Sequence, residues 1–553
     1  MRRTPVESTN VKASALTPFQ RGMLLMVLFV CVGIWHGYGL NQRGLLEHDE
    51  GHNLLAARTY SDVIRWMAHG GPWQSSTAEL AKLKQTLHRQ GGTLYPAGKP
   101  GYIVGLAIAS FAVGLTGKAA LWLAWVAGMV IVVFGGIITR QLYGRALLPQ
   151  VISVVGIGLS PLLGYLSREV GGTIWSLAFG SAGFAMLLSV DDKKRWAGAC
   201  ALLAGVLFGY GFTCHYNLLP GIAAAFAADY LFARNNLAIT QPSIGAAVRS
   251  RIRAWLFTFL GIALVLATFQ LGSMAAEHKL RPIYPKYQNY FAELMQIVGV
   301  YQLPALRGDE VGEGARGWGY DAVAYAGRVA GREGIGIWLG HIVAVAMTLQ
   351  FWSRRRIAPA GVFFLLLLGF WALHPWKVER SWGMLIVAAW LLVAGAISAM
   401  QQITQVNQRP RMLAVLTTAV LLLQAAHVTR SGWLHLWQAR SPISGAVAST
   451  LDYVRENGGT INANSAARSF APLWKWSIVE TGRQAQYRPA LKRVDFSSFE
   501  KPQIVFTDPN TWNDPQFAVS REELAATKLV ARHTCQNPHW TVAAYDLRTT
   551  GGL

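Results

Sequence analysis

The sequence predicts a polytopic α-helical membrane protein of about 11 transmembrane helices, closed by a small C-terminal α/β domain on the outer side. Three observations predict it. Of 553 residues, 52% are hydrophobic and only 14% charged, and apolar runs long enough to cross a bilayer recur along the chain. The basic residues behind the formal charge of +22 gather after every second run. After about residue 430 the runs give way to short segments of helical and alternating pattern.

In order, residues 1–21 carry Arg2, Arg3, Lys12 and Arg21 and lead into an apolar run at 22–40. That run is too long for a signal-peptide core and no small-residue cleavage site follows, so it reads as an anchor with a cytoplasmic N-terminus. Further spans are expected at 119–139, 147–165, 171–190, 197–213, 218–233, 254–274, 336–352, 357–373, 381–400 and 412–428. The clusters at Arg140 and Arg145, Lys193 to Arg195, Arg249 to Arg253, Arg354 to Arg356, and Arg409 and Arg411 then all fall on the cytoplasmic side. The agreement requires that Gly101 to Gly117, short for a span, lie on or dip into the outer face.

Two outer loops are long, 41–118 and 275–335. Leu54 to His69 has apolar residues at helical spacing and is expected to lie in the interface plane. In the tail, 430–553, Ser444 to Asn457 and Arg521 to Thr527 read as helices, and Gln503 to Thr507 and Thr541 to Tyr545 as strands. The unit organisation is thus a short cytoplasmic segment (1–21), a membrane module (22–429) and an outer α/β domain (430–553).

Nucleic-acid binding is excluded, because the basic residues form no continuous face with stacking aromatics. Cys31, Cys200, Cys214 and Cys535 are scattered and show neither zinc spacing nor a disulfide framework. The absence of eukaryotic targeting motifs favours a bacterial inner membrane.

The chemistry concentrates at His48-Asp49-Glu50-Gly51-His52, in the loop expected just outside the first span. Ionisable groups at a membrane edge point to function. A carboxylate there can serve as general base toward a hydroxyl or amine. Cations stand on other outer loops: Lys99, Arg168, Lys377 and Arg380, the last two against the positive-inside trend. Arginine forks and lysine ammonium groups suit a phosphate. The bland readings are a solvated helix cap for Asp49 and Glu50, a snorkelling Lys99, and a local ion pair of Arg168 with Glu169. The near match to the zinc motif HExxH fails, since Asp49 stands where glutamate is needed. His215 fits a structural turn, and the aromatics between Tyr284 and Tyr325 fit interfacial anchors as well as sugar platforms.

These motifs, in this order, resemble those of the GT-C membrane glycosyltransferases over about residues 20 to 400. They are the acidic pair of His48-Asp49-Glu50, the segment from Tyr95 through Lys99-Pro100 to Tyr102, Ser160-Pro161 with Ser167-Arg168-Glu169, and Lys377-x-x-Arg380. The likeness is to the branch of lipid A aminoarabinose transferases and protein O-mannosyltransferases. It implies inverting transfer of a sugar from a polyprenyl-phosphate donor, with Asp49 and Glu50 catalytic. Lys99, Arg168, Lys377 and Arg380 would hold the donor phosphate, and His48, His52, Tyr95, Tyr102 and Glu169 would contact acceptor or sugar. Thr173 stands where the family usually has a further acid, so neither metal nor other cofactor is expected. The implied partners are membrane lipid, the lipid-linked sugar and an unidentified acceptor. A transporter or flippase is the alternative, disfavoured by spans nearly free of charge and by the lack of an inverted repeat. A scaffold or sensor that binds a partner through its tail is the third reading.

Overall fold

The computed structural model describes residues 17–69, 99–191, 194–237, 244–280, 329–350, 357–373, 382–406, 410–430, 438–458, 460–462, 471–480, 503–508, 520–536 and 539–548, with single positions 78, 81 and 327. Helices dominate. α1 (Pro18–Gly37) opens on a capping box, Thr17 and Gln20 each accepting from the other's backbone N–H. It is followed by the short α2 (Leu40–Arg43), α3 (His48–Ala68), α4 (Pro100–Val113) and α5 (Gly117–Tyr143). Next come α6 (Leu147–Gly158), α7 (Pro161–Leu166), α8 (Gly172–Leu188), α9 (Ala197–Cys214), α10 (Leu219–Leu237) and α11 (Ile244–Leu280). The bundle ends with α12 (Ile335–Gln350), α13 (Ala358–Leu373), α14 (Gly383–Val406) and α15 (Pro410–Val428).

Among the described residues, each expected span is mostly helical. Six helical stretches among the described residues are long and apolar enough to cross a bilayer: Pro18–Arg43, Gly117–Tyr143, Ala197–Cys214, Arg251–Gly272, Gly383–Gln401 and Arg411–Val428. The chain is an integral membrane protein. One expected span needs correction. Residues 147–165 do not form a continuous rod: the helix stops at Gly158, and Ser160 caps a new one with Pro161 at its first position. Proline lacks the N–H that a continuing helix would need, and its ring excludes the preceding turn.

The bundle is organised around α14, whose residues from Leu385 to Leu392 are almost completely buried. Gly156 of α6 and Gly336 of α12 both lie against the Trp390 indole, where a Cβ would come within 2.2 Å of the ring. Small residues let three backbones close on one large side chain.

The helix ends sort into two sets. At one end Gln141 donates to the Ala185 carbonyl, Tyr143 to that of Leu391, and Arg251 to those of Leu187 and Val190. The basic clusters at Arg140, Arg195 and Arg251 belong to this end. At the other, His36 meets Ser167 and Gly158, Asn53 meets Val170, and Ser176 donates to the His215 carbonyl.

The tail holds α16 (Ile443–Asn457), β1 (Thr460–Asn462), α17 (Ala471–Glu480), β2 (Gln503–Thr507), α18 (Arg521–Ala525), β3 (Lys528–Gln536) and β4 (His539–Asp546). The strands form one sheet in the order β1-β2-β4-β3, parallel between β1 and β2 and antiparallel elsewhere. Ile504, Phe506, Trp540, Val542 and Ala544 line one face and join Trp474 and Trp476 of α17 in a single core with Leu54, Leu55, Tyr102 and Leu106. Trp474 stacks on Phe506 at 4.0 Å between ring centres.

That shared core shows what covers α3: Leu54 and Leu55 are buried, between α4 on one side and α17 on the other. Gly51 makes the approach of α17 possible, since a Cβ there would stand 2.5 Å from the Pro472 backbone.

Candidate active site

The acidic motif is helical from its first residue, another departure from the expected loop. Glu47 is the N-cap of α3, and Glu50, three positions on, turns its carboxylate back to accept from the N–H of Glu47 at 2.9 Å and of Leu46 at 2.6 Å. Its other oxygen accepts from the Val170 N–H at 3.0 Å and pairs with Arg43 at 2.7 Å. Glu50 is fully buried and Arg43 nearly so. A buried carboxylate satisfied by three backbone N–H groups and a guanidinium is a structural keystone. It ties the exit of the first membrane helix, the head of α3 and the turn after α7.

Asp49 takes the opposite position. One residue earlier on the helix, its side chain is 42% exposed and its Oδ2 lies 3.3 Å from Nζ of Lys99. Lys99 is the residue before Pro100 and α4, so the ammonium stands at the head of one helix beside the carboxylate at the head of another. α3 and α4 run side by side from there, with Arg65 over the Phe111 ring at 5.3 Å near their far ends. The chain then comes back to the site's end of the bundle, where Gly117 N–H donates to Glu480 at 2.9 Å and its Cα faces Leu45.

The other expected site residues fall into three groups. His52 is exposed on α3, three positions after Asp49 and hence on neighbouring surface. Arg168, Glu169 and Tyr102 are buried. Arg168 donates from Nη1 to the carbonyls of His36 at 3.0 Å and Tyr38 at 2.7 Å, at the C-terminal end of α1. A cation suits that negative helix end. Burial, with the Arg43 and Arg440 guanidiniums nearby, pushes Arg168 down to about 10, still charged at neutral pH. Burial, with the Glu50 and Glu169 carboxylates, holds the Tyr102 phenol well above its usual value, and the ring packs edge-on to Trp175. The third group, Tyr95, Lys377, Arg380 and the His48 side chain, lies outside the described residues.

Sequence reasoning missed Arg43, Glu47 and Glu333. Tyr165 donates to Glu47 at 2.9 Å, across the head of α3. Glu333 accepts from Ser160 Oγ at 2.7 Å and from the Leu162 N–H at 2.8 Å, holding the start of α7. Burial pushes the Glu333 carboxyl up to about 7. The Glu47-x-x-Glu50 pair was readable as a capping signal; nothing local marked Arg43 or Glu333. Among the described residues no three His, Cys, Asp or Glu side chains are placed to hold a metal ion.

No family model and no curated protein matches the sequence. Solved structures do. ArnT from Cupriavidus metallidurans in the apo state aligns over 96% of this chain and 100% of its own, at 13% identity and a TM-score of 0.50. The same protein bound to undecaprenyl phosphate aligns over 97% and 100%, at 12% identity and a TM-score of 0.49. The archaeal oligosaccharyltransferase AglB from Archaeoglobus fulgidus, in complex with an inhibitory peptide and a dolichol-phosphate, aligns over 90% and 70%, at 11% identity and 0.48. At such identities the likeness is one of fold alone: the chain shares the fold of ArnT.

Proposed function

We propose that the protein is an inverting glycosyltransferase that moves a sugar from a polyprenyl-phosphate donor to an acceptor at the outer face of a bacterial inner membrane. The observation that carries this reading is the exposed Asp49 carboxylate beside Lys99 at the joint heads of α3 and α4. The fold supports it, and ArnT, which shares that fold, has been solved with undecaprenyl phosphate.

In this reading Asp49 takes the proton from the acceptor hydroxyl or amine as its oxygen or nitrogen attacks the anomeric carbon. The bond from that carbon to the phosphate oxygen breaks, and polyprenyl phosphate leaves with the electron pair. Lys99 offsets the charge gathering on the phosphate. Lys377 and Arg380 are assigned to the same phosphate, and His48, His52 and Tyr95 to acceptor or sugar. Glu50, Arg168, Glu169 and Tyr102, being buried, act through the frame that fixes Asp49. About 11 helices cross the membrane, the tail forms an outer α/β domain, and the reaction runs without metal.

The test is transfer from a labelled polyprenyl-phosphate sugar pool in membranes. Asp49→Asn is expected to lower transfer about 10²- to 10⁴-fold, the usual share of a general base, with protein level unchanged. Equal transfer by both chains would remove Asp49 as the base. Label crossing sealed vesicles without transfer would indicate a transporter.

A further inference from the structure

The sheet of the tail has two faces, and one of them joins the core shared with α3 and α17. The register fixes what the other presents. Thr507 of β2 pairs with Ala543 of β4, which pairs with Arg532 of β3, so these three form one row across the sheet. Val505, Tyr545 and Leu529 form the next row, and Thr541 with Thr534 the row beyond Ala543. Three positions separate Leu529 from Arg532, which in a regular strand would send them to opposite faces. A bulge between Leu529 and Ala531 brings Arg532 round to the face of Tyr545. His533, by contrast, turns to the core side, where it meets Ser449 of α16 at 3.1 Å.

A cavity of about 860 Å³ stands on this face, lined among others by Thr507, Asp508, Arg521, Arg532, Thr541 and Tyr545. Its floor is Ala543, the smallest side chain of its row, between Thr507 and Arg532, which two strand spacings place about 10 Å apart. That width takes a sugar ring. Asp508 is buried at 2% exposure, while Arg521 and Arg532 are exposed. Among the described residues Arg532 enters no side-chain hydrogen bond or ion pair, although its strand aims it into the cavity wall. Threonine hydroxyls for sugar hydroxyls, a tyrosine ring for the apolar C–H face, and the Arg532 guanidinium fork for an anion define one ligand chemistry.

We propose that this face binds an anionic saccharide, a sugar ring carrying a phosphate or carboxylate. The sheet and α17 stand between the cavity and α3. The site therefore holds a part of a glycan remote from the atom Asp49 would act on, and the proposal is independent of the transfer chemistry.

The full chain in lipid nanodiscs is titrated with N-acetylglucosamine 6-phosphate, glucuronate, N-acetylglucosamine and inorganic phosphate, followed by saturation-transfer NMR. At least one of the two anionic sugars is expected to bind about tenfold more tightly than the neutral sugar or phosphate alone, the Arg532 fork adding that order of affinity. Arg532→Gln, an exposed substitution, should lose about that tenfold, Arg532→Lys should recover part of it, and Asp49→Asn should leave binding unchanged. Equal binding by the native chain and Arg532→Gln overturns the proposal. So does inorganic phosphate binding as well as either sugar anion, or no binding of either. Loss of transfer in Asp49→Asn is read separately, so the two readings fail separately.

Discussion

Asp49 and Glu50 are neighbours in the chain with the same chemistry, and the first turn of α3 gives them different tasks. A helix turns successive side chains about a quarter of the way round, so one carboxylate meets Arg43 and Val170 while the next meets solvent and Lys99. Their substitutions should therefore fail in different ways. Glu50→Gln leaves Arg43 buried without its counter-charge, and a loss of about 3–5 kcal/mol of stability is expected. Thermal unfolding in detergent should show it, whereas Asp49→Asn should unfold like the native chain. Glu333 makes a pH-dependent counterpart. Its carboxyl, raised from 4.5 to about 7, holds its proton more tightly in the folded chain. Its stabilising contribution is complete below pH 4.5 and lost as pH rises through 7, on the order of 3 kcal/mol in all. Unfolding temperatures measured at pH 5 and 8 should differ less in Glu333→Gln than in the native chain. At this scale the sequence was half legible. The His-Asp-Glu motif stood out by its charge at a span's edge. Which acid is buried depends on Val170, more than a hundred residues away, and no local pattern carries that.

Among the elements, the junction of α3 and α17 is the most sensitive to small change. Gly51 reads in sequence as a flaw in a helix. In the fold its missing Cβ is the space that Pro472 and Leu473 occupy. Gly51→Ala is favourable by helix propensity yet should cost about 1–3 kcal/mol through overpacking against a backbone that cannot yield. Limited proteolysis should show earlier cleavage around residues 471–480, and unchanged cleavage would show that α17 can shift. The spans were the most legible elements, because an all-apolar run has one meaning in a bilayer. The break at Ser160 was less so: Gly158-Leu-Ser-Pro161 is apolar enough to pass as continuous. β3 was not expected at all. Lys528, Arg532 and His533 hide its alternation, and the bulge shifts its period.

At the scale of the molecule, the apolar core that Leu54, Tyr102 and Leu106 share with Trp474, Trp476 and Phe506 joins segments from the two extremes of the chain. A chain ended at residue 430 would expose that surface. Hydrogen exchange in nanodiscs should then show α3 and α4 losing protection while α14, packed wholly within the bundle, keeps its own. Protection of α3 retained in the shortened chain would show that the tail covers the site without supporting it. That the chain is a mostly helical membrane protein was legible from hydropathy alone. This joint was not, since nothing in either segment advertises the other as its partner.

The same joint sets an order of events during biosynthesis. Gly51 leaves the ribosome early, and the helix that covers it, Ala471–Glu480, only some 420 residues later. At 5–20 residues per second the interval is roughly 20–80 s. For that time α3 stands half-packed, and the shared core closes only once the segment from Ala471 to Ala544 has been delivered to the side on which α3 lies.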